Sequence, residues 1–183
     1  MSLLQPPDPV KLVSSVISAH RALLDEGILQ LAQRQGKPDY VSDIMPFNYT
    51  DYYTGEMGTG LARRVVSFET LISPTDLPDI KNNTNEIEAL LTLDNKRNIN
   101  IDPGYISAGH LLLATGKPYA HRPYLRDGVY GDITLIYRDL TFQSQEWTYP
   151  DYRDPSMIAI LTKMREKYLK QLAALKKETG KTV

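Results

Sequence analysis

The sequence contains no cysteine, and this absence removes several classes of chemistry at once. Structural disulfides, thiolate nucleophiles and cysteine-ligated zinc or iron–sulfur centres all need that side chain, so all of them are excluded. A chain without cysteine is also compatible with a reducing cytoplasm, which is the compartment we expect for this protein.

Long apolar runs are missing too. No stretch approaches the roughly 20 apolar residues that span a bilayer, so we expect no membrane partner. The first residues, MSLLQPPDPVK, lack the basic start and the apolar run of a secretory signal peptide.

A net charge of one sign is also lacking. The 21 Lys and Arg residues balance 22 Asp and Glu residues, which gives a formal net charge of -1. Domains that bind nucleic acid are usually basic overall, so nucleic acid is not the partner we expect, although a local basic patch is compatible with this balance.

Short catalytic signatures are absent as well. We find no P-loop, no nucleophile elbow and no paired H-x-T/S motifs, and the last of these absences argues against a two-histidine phosphoesterase. The three histidines, His20, His110 and His121, also lack the spacing of a zinc site.

The composition that remains is that of an ordinary globular protein. The 183 residues suit one domain, which we place at residues 10–178, between a proline-rich arm at 1–9 and a frayed tail at 179–183. Tyrosine is the unusual count, with 12 Tyr against 3 Phe and 1 Trp. A buried phenol needs a partner for its hydroxyl, so this excess indicates a core or a cleft with wet edges.

Hydrophobic periodicity predicts a regular element order over the first hundred residues. In chain order we expect a strand at 11–19, a helix ending at Gly36, strands at 40–47 and 61–69, a helix from Pro74, and a strand at 98–102 that Pro103-Gly104 ends. This β-α-β-β-α-β order is that of the ferredoxin-like fold. Both helices then pack on one face of an antiparallel sheet.

Further elements follow this core. SAGHLLLATG (107–116) predicts a short helix, and residues 117–138 predict a hairpin that turns near Asp127-Gly128. A short strand at 141–147 and a last helix from Asp154-Pro155 complete the chain. We therefore predict an α+β fold with a ferredoxin-like βαββαβ core, in which an added β-hairpin and a C-terminal helix cover the second sheet face.

Strand alternation predicts which side chains meet on that second face. Ile99 and Ile101 should face the helices, which turns Asn100 and Asp102 the other way. Arg63 shares a polar face of its own strand. If the two polar faces coincide, Asp102 and Arg63 lie on one platform, where they either pair with other groups or bind a ligand.

The sixteen residues KPYAHRPYLRDGVYGD (117–132) are the most site-like stretch. Lys117, His121, Arg122 and Arg126 could cradle a phosphate or carboxylate, and a histidine there could act as acid or base. The alternative is a solvated hairpin whose arginines pair with nearby aspartates.

Three other stretches carry candidate chemistry. Asp51 and Glu56 lie in a glycine-containing loop and could hold Mg²⁺, or simply form an ion pair. Asp102 ends a predicted strand and could be a base, or could accept hydrogen bonds within a turn. Trp147 and Arg153 belong to WTYPDYRDP, which could stack on a flat ligand or form a packed corner.

Five long strings occur in order along the chain: MPFNYTDYYTGEMG, VVSFETLISPTDLPDIKNNTNEIE, NINIDPGYIS, LLLATGKPYAHRPYLRDGVYGDITLIYRD and WTYPDYR. Together they resemble the prokaryotic family of domain of unknown function 4416, over about residues 9–170. The family has no established activity, so the resemblance implies no role for any residue. It does imply a set of family polar positions, namely Asp51, Tyr52, Tyr53, Glu56, Arg64, Lys81, Asn85, Asp102, Tyr105, His121, Arg122, Trp147, Asp151 and Arg153.

The leading hypothesis is a cytoplasmic protein that binds a small anion, such as a nucleotide or a phosphorylated metabolite. His121 or Asp102 would move a proton, and Asp51 and Glu56 would hold a divalent cation such as Mg²⁺. The candidate ligand-binding residues are Arg63, Arg64, Lys81, Tyr105, Lys117, Arg122, Trp147 and Arg153. The alternatives are a non-catalytic interaction or homodimerisation module, and an RNA-binding sheet. The sequence leaves open whether any reaction is catalysed.

Overall fold

An antiparallel sheet organises the computed structural model, which describes residues 3–50, 52–92, 96–178 and 180. Nine strands form within these residues: β1 (Val10–Ser18), β2 (Pro38–Val41), β3 (Met45–Pro46), β4 (Ala62–Ile72), β5 (Ile99–Ile106), β6 (His110–Thr115), β7 (Tyr124–Arg126), β8 (Val129–Arg138) and β9 (Thr141–Ser144). Four α-helices accompany them: α1 (Arg21–Gln35), α2 (Thr54–Met57), α3 (Leu77–Leu90) and α4 (Pro155–Glu178). The fold is therefore α+β.

The strands lie in the order β2-β4-β1-β5-β6-β8-β7, with β3 paired to β4 and β9 paired to β8. Residues 3–9 form no helix or strand. Of the predicted tail, only Gly180 is among the described residues. No helix in the described ranges is both long and apolar enough to cross a membrane.

Helices α1 and α3 pack together on one face of the sheet. Ile99 and Ile101 of β5 are fully buried there against Leu24, Leu31 and Ile87 of the two helices. The predicted orientation of the two isoleucines is thereby confirmed. Because apolar side chains occupy alternate positions of the strand, the intervening Asn and Asp residues must point to the opposite face.

Helix α4 covers much of that opposite face. Its apolar stripe of Leu161, Met164, Tyr168 and Leu172 recurs at helical spacing and packs into one buried cluster with β1, β4 and β6. The hydroxyl of Tyr168 donates to the carbonyl of Pro9 at 3.0 Å, which ties the helix to the start of β1. The C-terminal helix is thus the cover that the sequence predicted. The hairpin β7–β8 instead extends the sheet beyond β6.

A buried charge network fastens α4 and β2 to the sheet. Lys11 is completely buried, and its ammonium group donates to Asp39 and, at 2.7 Å, to Gln171 of α4. Asp39 also accepts from Ser67 at 2.6 Å and lies 3.1 Å from the Lys167 ammonium. Burial alone would raise the pKa of Asp39, but the hydrogen bonds from Lys11, Ser67 and Lys167 outweigh it and hold that pKa below its usual value.

Strands β5 and β6 diverge along their length. They pair only at Gly104–Leu113, Tyr105–Leu112 and Ile106–Leu111, so the first half of β5 has β1 on one side and no strand on the other within the described residues. Side chains of α3 satisfy the backbone there instead. Glu88 accepts the N–H of Ile101 at 2.7 Å, and Lys81 donates to the carbonyl of Ile101 at 3.1 Å.

The sequence analysis predicted that Pro103-Gly104 ends the strand, and this prediction is wrong, because β5 continues to Ile106. The divergence of β5 from β6 explains the difference. Backbone groups alternate in direction along a strand, so Pro103 points to the same open edge as Ile101, where its missing N–H costs no ladder bond. At Gly104 a Cβ atom would lie 2.4 Å from the carbonyl oxygen of Leu112. Only glycine therefore allows β6 to approach at this point.

The prediction of a helix at 107–116 is also wrong, because this segment contains β6. Leu111 and Leu113 pack toward α4, whereas Leu112 packs toward Leu77 on the other face. A strand buried on both faces has a continuous apolar run, which periodicity cannot distinguish from a short helix.

Three smaller differences concern element boundaries. The strand predicted at 40–47 is split into β2 and β3 by residues 42–44, where the Ser42 hydroxyl rather than a backbone carbonyl accepts the N–H of Val65 at 2.9 Å. The following polar loop contains the single helical turn α2. The strand predicted at 141–147 ends at Ser144, where the chain leaves β8.

Replacing Gly104 by Ala should lower the free energy of unfolding by about 1–3 kcal/mol, because the new methyl group overlaps the backbone of β6. Gly109→Ala is the matched control, since no heavy atom lies within 4 Å of its Cβ position. The measurement is urea denaturation of both variants. Equal midpoints for the two would contradict the close approach of β5 and β6.

Asp39→Asn should lower the free energy of unfolding at pH 7 by roughly 3–5 kcal/mol, because buried Lys11 loses its carboxylate partner. The wild-type protein should also lose more stability than this variant as the pH falls. A carboxyl whose pKa is depressed in the folded state stabilises above its unfolded pKa, and that contribution disappears as the pH falls through the folded value.

The pH dependence is measured by urea denaturation between about pH 5 and pH 2, the range over which a depressed carboxyl is protonated. The control is Asp43→Asn, because Asp43 is exposed. The stability of this variant should follow the wild-type curve against pH. If the stability of Asp39→Asn also follows the wild-type curve, the Asp39 carboxylate does not stabilise the fold through this network.

Candidate functional site

A cleft of about 670 Å³ opens where β5 and β6 diverge. This volume lies within the range of about 300–1,000 Å³ that is typical of small-molecule sites. The described lining comes from β1, β5, β6, α3, the hairpin that contains β8, and the segments around residues 47–53, 97, 115–117 and 149–152. The lining residues are Ser15, Ile17, Phe47, Tyr49, Thr50, Tyr52, Tyr53, Lys81, Asn85, Arg97, Asn100, Asp102, Leu113, Ala114, Thr115, Gly116, Lys117, Arg122, Asp132, Tyr149, Pro150, Asp151 and Tyr152.

The hairpin positions one charged wall of the cleft through Asp132. This residue is buried, and its carboxylate accepts from Arg122 Nε at 2.9 Å and from the Thr134 hydroxyl at 3.2 Å. The Nε2 atom of His121 lies 3.3 Å from the same carboxylate. The hairpin turns at Asp127-Gly128, as the sequence predicted. Asp132 therefore fixes the direction of Arg122.

Arg122 lines the cleft and is held there by hydrogen bonds to Lys117 and Tyr149. Its terminal nitrogens donate to the carbonyl of Lys117 at 3.1 Å and to the hydroxyl of Tyr149 at 2.9 Å. Burial alone would lower the pKa of Arg122, but the bonds to Tyr149 and Asp132 raise it, so the guanidinium stays charged. Guanidinium donors remain for a ligand, because the bonds to Asp132, Lys117 and Tyr149 use only three of its five N–H groups.

Lys117 lies beside Arg122 and is exposed. Its ammonium group donates to the hydroxyl of Tyr52 at 2.9 Å. Among the described residues, no carboxylate lies within 4 Å of that ammonium group. A phenol does not neutralise a cation, so Lys117 gives this wall a positive charge.

The opposite wall combines a lysine, a carboxylate and two amides. Lys81 and Asn85 lie one turn apart on α3, and both line the cleft. On β5, Asn100 donates to Asp102 Oδ2 at 2.6 Å. The Lys81 ammonium is 3.6 Å from Asp102 Oδ1, close enough for an ion pair but too far for a hydrogen bond.

Arg97 is the fourth cation of the lining. It pairs with Glu56 at 2.9 Å and with Glu88 at 3.6 Å, and its guanidinium lies 5.5 Å from the ring centre of Tyr53. Burial raises the pKa of the Glu88 carboxyl, an effect that the Lys81 charge and the Ile101 N–H oppose. Sequence reasoning missed Arg97, because a single arginine between two elements carries no local signal.

A buried ion pair supports the cleft from below. Arg63 is 3 % exposed and donates to Asp151 at 2.5 Å. Its guanidinium lies between the rings of Phe47 and Tyr152, 5.1 and 5.5 Å from their centres. Burial raises the pKa of the Tyr152 phenol well above its usual value. Arg63 is outside the lining, and its contacts hold two lining segments together.

The structure brings four of the candidate residues into this one lining: Lys81, Asp102, Lys117 and Arg122. His121 lies next to Arg122 but outside the lining. Its ring stacks on Trp147 with centroids 4.8 Å apart, and Trp147 Nε1 donates to the carbonyl of Ile133 at 2.9 Å. This stack is part of the wall that supports Arg122.

Other candidates lie elsewhere. Arg64 is paired with Asp25 of α1, on the helix-covered face. Tyr105 packs in the cluster around Leu77, and burial raises its pKa. Arg153 donates to the carbonyl of Thr148 at 2.8 Å and closes the 145–148 turn.

Only one of the two predicted metal ligands lies among the described residues. Glu56 lines a neighbouring small pocket with Arg97, its ion-pair partner, and Asp51 lies outside the described residues. Across residues 3–50, 52–92, 96–178 and 180, no three His, Asp or Glu side chains form a group that could hold a metal ion. The divalent cation stays a prediction.

The tyrosine excess has a location in this site. Five tyrosines contribute to the described lining: Tyr49, Tyr52, Tyr53, Tyr149 and Tyr152. Three of them come from the single stretch NYTDYY, and two from WTYPDY. The composition predicted a core or a cleft with wet edges, and the clustering of tyrosines in two short stretches was the signal that could have placed the cleft.

Asp151→Ala should lower the free energy of unfolding by about 3–5 kcal/mol, because it leaves the buried Arg63 guanidinium without its carboxylate. Chemical denaturation measures the change. Glu166→Ala on the exposed side of α4 is the control and should stay within about 0.5 kcal/mol of the wild type. A similarly small effect at Asp151 would show that the ion pair does not support the cleft.

Comparison with known proteins places the chain in a family. No curated protein and no solved structure matches it. One family model matches residues 8–168, a span that includes every described residue of the cleft lining. This match covers most of the 183 residues, and it agrees with the resemblance carried by the sequence strings. The chain belongs to the family described as a domain of unknown function, DUF4416.

Proposed function

We propose that the cleft binds a small anionic molecule, a nucleotide or a phosphorylated metabolite. The observation that carries this proposal is the adjacent placement of Lys117 and Arg122 in the lining. Arg122 is held by Asp132, whereas Lys117 has only the phenol of Tyr52 as a side-chain partner among the described residues. A phosphate or carboxylate would supply the missing negative charge.

The two cations differ in what they offer an anion. The Arg122 guanidinium is planar and fixed, so it can direct two parallel N–H groups to one oxyanion. The Lys117 ammonium is exposed, and it attracts the ligand as a point charge. Tyr52 and Tyr149 add hydroxyl groups beside these cations. This combination suits a phosphate group in particular.

Acid–base chemistry, if the ligand is a substrate, is better supported for Asp102 than for His121. The Asp102 side chain is 34 % exposed within the cleft, so a bound molecule can reach it. His121 is packed on Trp147 outside the lining. A divalent cation at Asp51 and Glu56 is not needed for binding as proposed here.

We also propose that the core is ferredoxin-like. Support comes from the order β2-β4-β1-β5, in which every neighbouring pair is antiparallel, and from α1 and α3 on a single face. The strands β6 to β9 and helix α4 are then additions, and the cleft lies at the junction of core and additions. A cytoplasmic location remains part of the proposal and rests on the absence of cysteine.

The two alternative functions have less support. RNA binding on the sheet and an interaction through a sheet face both need an accessible face, whereas α1 and α3 cover one face of β1, β4 and β5 and α4 packs on the other. An interaction or dimerisation module that uses a sheet edge or α4 is not affected by this covering. Both alternatives remain hypotheses. Neither accounts for the charged cleft.

A thermal-shift panel of nucleotides, sugar phosphates and inorganic phosphate tests the proposal. A ligand at a hundredfold excess over its dissociation constant stabilises the native state by about 2.7 kcal/mol, which raises the midpoint by roughly 5–10 °C for a chain of this size. The shift should be lost in Arg122→Ala and reduced in Lys117→Met, because these changes remove the two cations of the wall.

Arg138→Ala and Lys163→Met are the matched controls. Both side chains are exposed and lie outside the lining, so both variants should keep the full shift. Flat traces for the wild type across the panel would overturn the anion-binding proposal. If all four variants retain the thermal shift, the anion binds elsewhere on the protein and not in this cleft.

A further inference from the structure

An accessible carboxylate is out of place in a site that binds anions, and Asp102 is one. The described lining holds three aspartates, and two of them are enclosed by arginine partners. The side chains of Asp132 and Asp151 are 5 % and 9 % exposed, whereas that of Asp102 is 34 % exposed. Asp102 would repel a phosphate nearby, so its position needs another reason.

Asp102 has unused capacity to accept hydrogen bonds. Its Oδ2 atom accepts from the Asn100 amide at 2.6 Å. Its Oδ1 atom faces Lys81 at 3.6 Å, beyond hydrogen-bond distance, because the Lys81 ammonium is drawn to the carbonyl of Ile101 at 3.1 Å. A carboxylate accepts several hydrogen bonds, so donors from a bound molecule can fill the remaining positions.

A second unused polar group lies on the same wall. Asn85 is exposed, lines the cleft one turn beyond Lys81, and makes no side-chain hydrogen bond with any described residue. An amide both donates and accepts, a carboxylate accepts, and an ammonium donates. Asp102, Asn85 and Lys81 together therefore offer both hydrogen-bond donors and acceptors. They suit ligand groups that can donate and accept at the same time. Hydroxyl groups have this property.

We propose that the ligand is a phosphorylated sugar, whose hydroxyl groups bind at Asp102, Asn85 and Lys81 while its phosphate binds at Lys117 and Arg122. The inference rests on the proposed anion site and specifies its substrate class. A ligand amine fits this wall less well than a hydroxyl, because the Lys81 ammonium is 3.6 Å from the same carboxylate and repels a second cation. A neutral hydroxyl can donate to Asp102 and accept from Lys81.

Titration calorimetry of Asp102→Asn with two probes tests the inference through the sign of the change. Inorganic phosphate should bind this variant as tightly as the wild type or more tightly, because a nearby negative charge has been removed. Ribose 5-phosphate should bind the variant about tenfold more weakly or worse, because a charge-assisted hydrogen bond to its hydroxyl groups is lost. For the wild type, ribose 5-phosphate should bind at least about tenfold more tightly than inorganic phosphate for the same reason.

Asn85→Ala is a second variant that leaves the fold undisturbed, since this side chain is exposed and bonded to no described residue. It should weaken ribose 5-phosphate and leave inorganic phosphate unchanged. Asp127→Asn, in the exposed hairpin turn outside the lining, is the control and should change neither affinity.

The possible failures are distinguishable. If both probes bind the wild type equally and neither cleft variant separates them, the sugar inference is overturned and the anion site stands. If Asp102→Asn tightens both probes alike, the carboxylate acts through charge alone and the inference is again overturned. If neither probe binds the wild type, the sugar inference fails, and the proposed anion site fails with it only when the nucleotides of the thermal-shift panel also give no shift.

Discussion

The divergence of β5 from β6 is the constraint on which the site depends. The two strands are hydrogen-bonded at one end, where Gly104 allows the backbone of Leu112 to come close, and they are apart at the other end. An open strand edge inside a protein is costly unless its backbone groups find partners. Glu88 and Lys81 supply those partners at Ile101, so α3 keeps the gap stable and brings a cation to it.

Buried carboxylates then decide where the cations point. Asp132 directs Arg122 into the gap, and Asp151 holds Arg63 beneath it between two aromatic rings. Neither partner of these two ion pairs can be removed without destabilising the fold, because the remaining charge would lie in a poorly solvated position. Lys117 has no such partner among the described residues, so its charge is available to a ligand. The guanidinium of Arg122, held by a carboxylate, and the ammonium of Lys117, with no carboxylate partner among the described residues, form the physical basis of the proposed anion site.

Sequence reasoning located the elements with a clear local signal. The helices α1, α3 and α4 were predicted within a few residues because each buries one apolar stripe. Strand β1 is buried on both faces, and it was predicted from its short, β-branched composition rather than from alternation. Sequence reasoning failed at Leu111–Leu113, where burial on both faces removes the alternation. Lys117 and Arg122 were found because cations cluster locally in the hairpin. Arg97 and the 47–53 wall could not be placed, because their approach to the cleft depends on long-range strand divergence.

The position of a bound anion tests this account most directly. A crystal of the protein soaked with tungstate, an oxyanion with a strong anomalous signal, would reveal that position without assuming a biological ligand. The account predicts an anomalous peak in the gap between β5 and β6, within about 3.5 Å of Lys117 Nζ and of the Arg122 guanidinium. Peaks confined to exposed cations outside the cleft, such as Arg138 and Lys163, would contradict it.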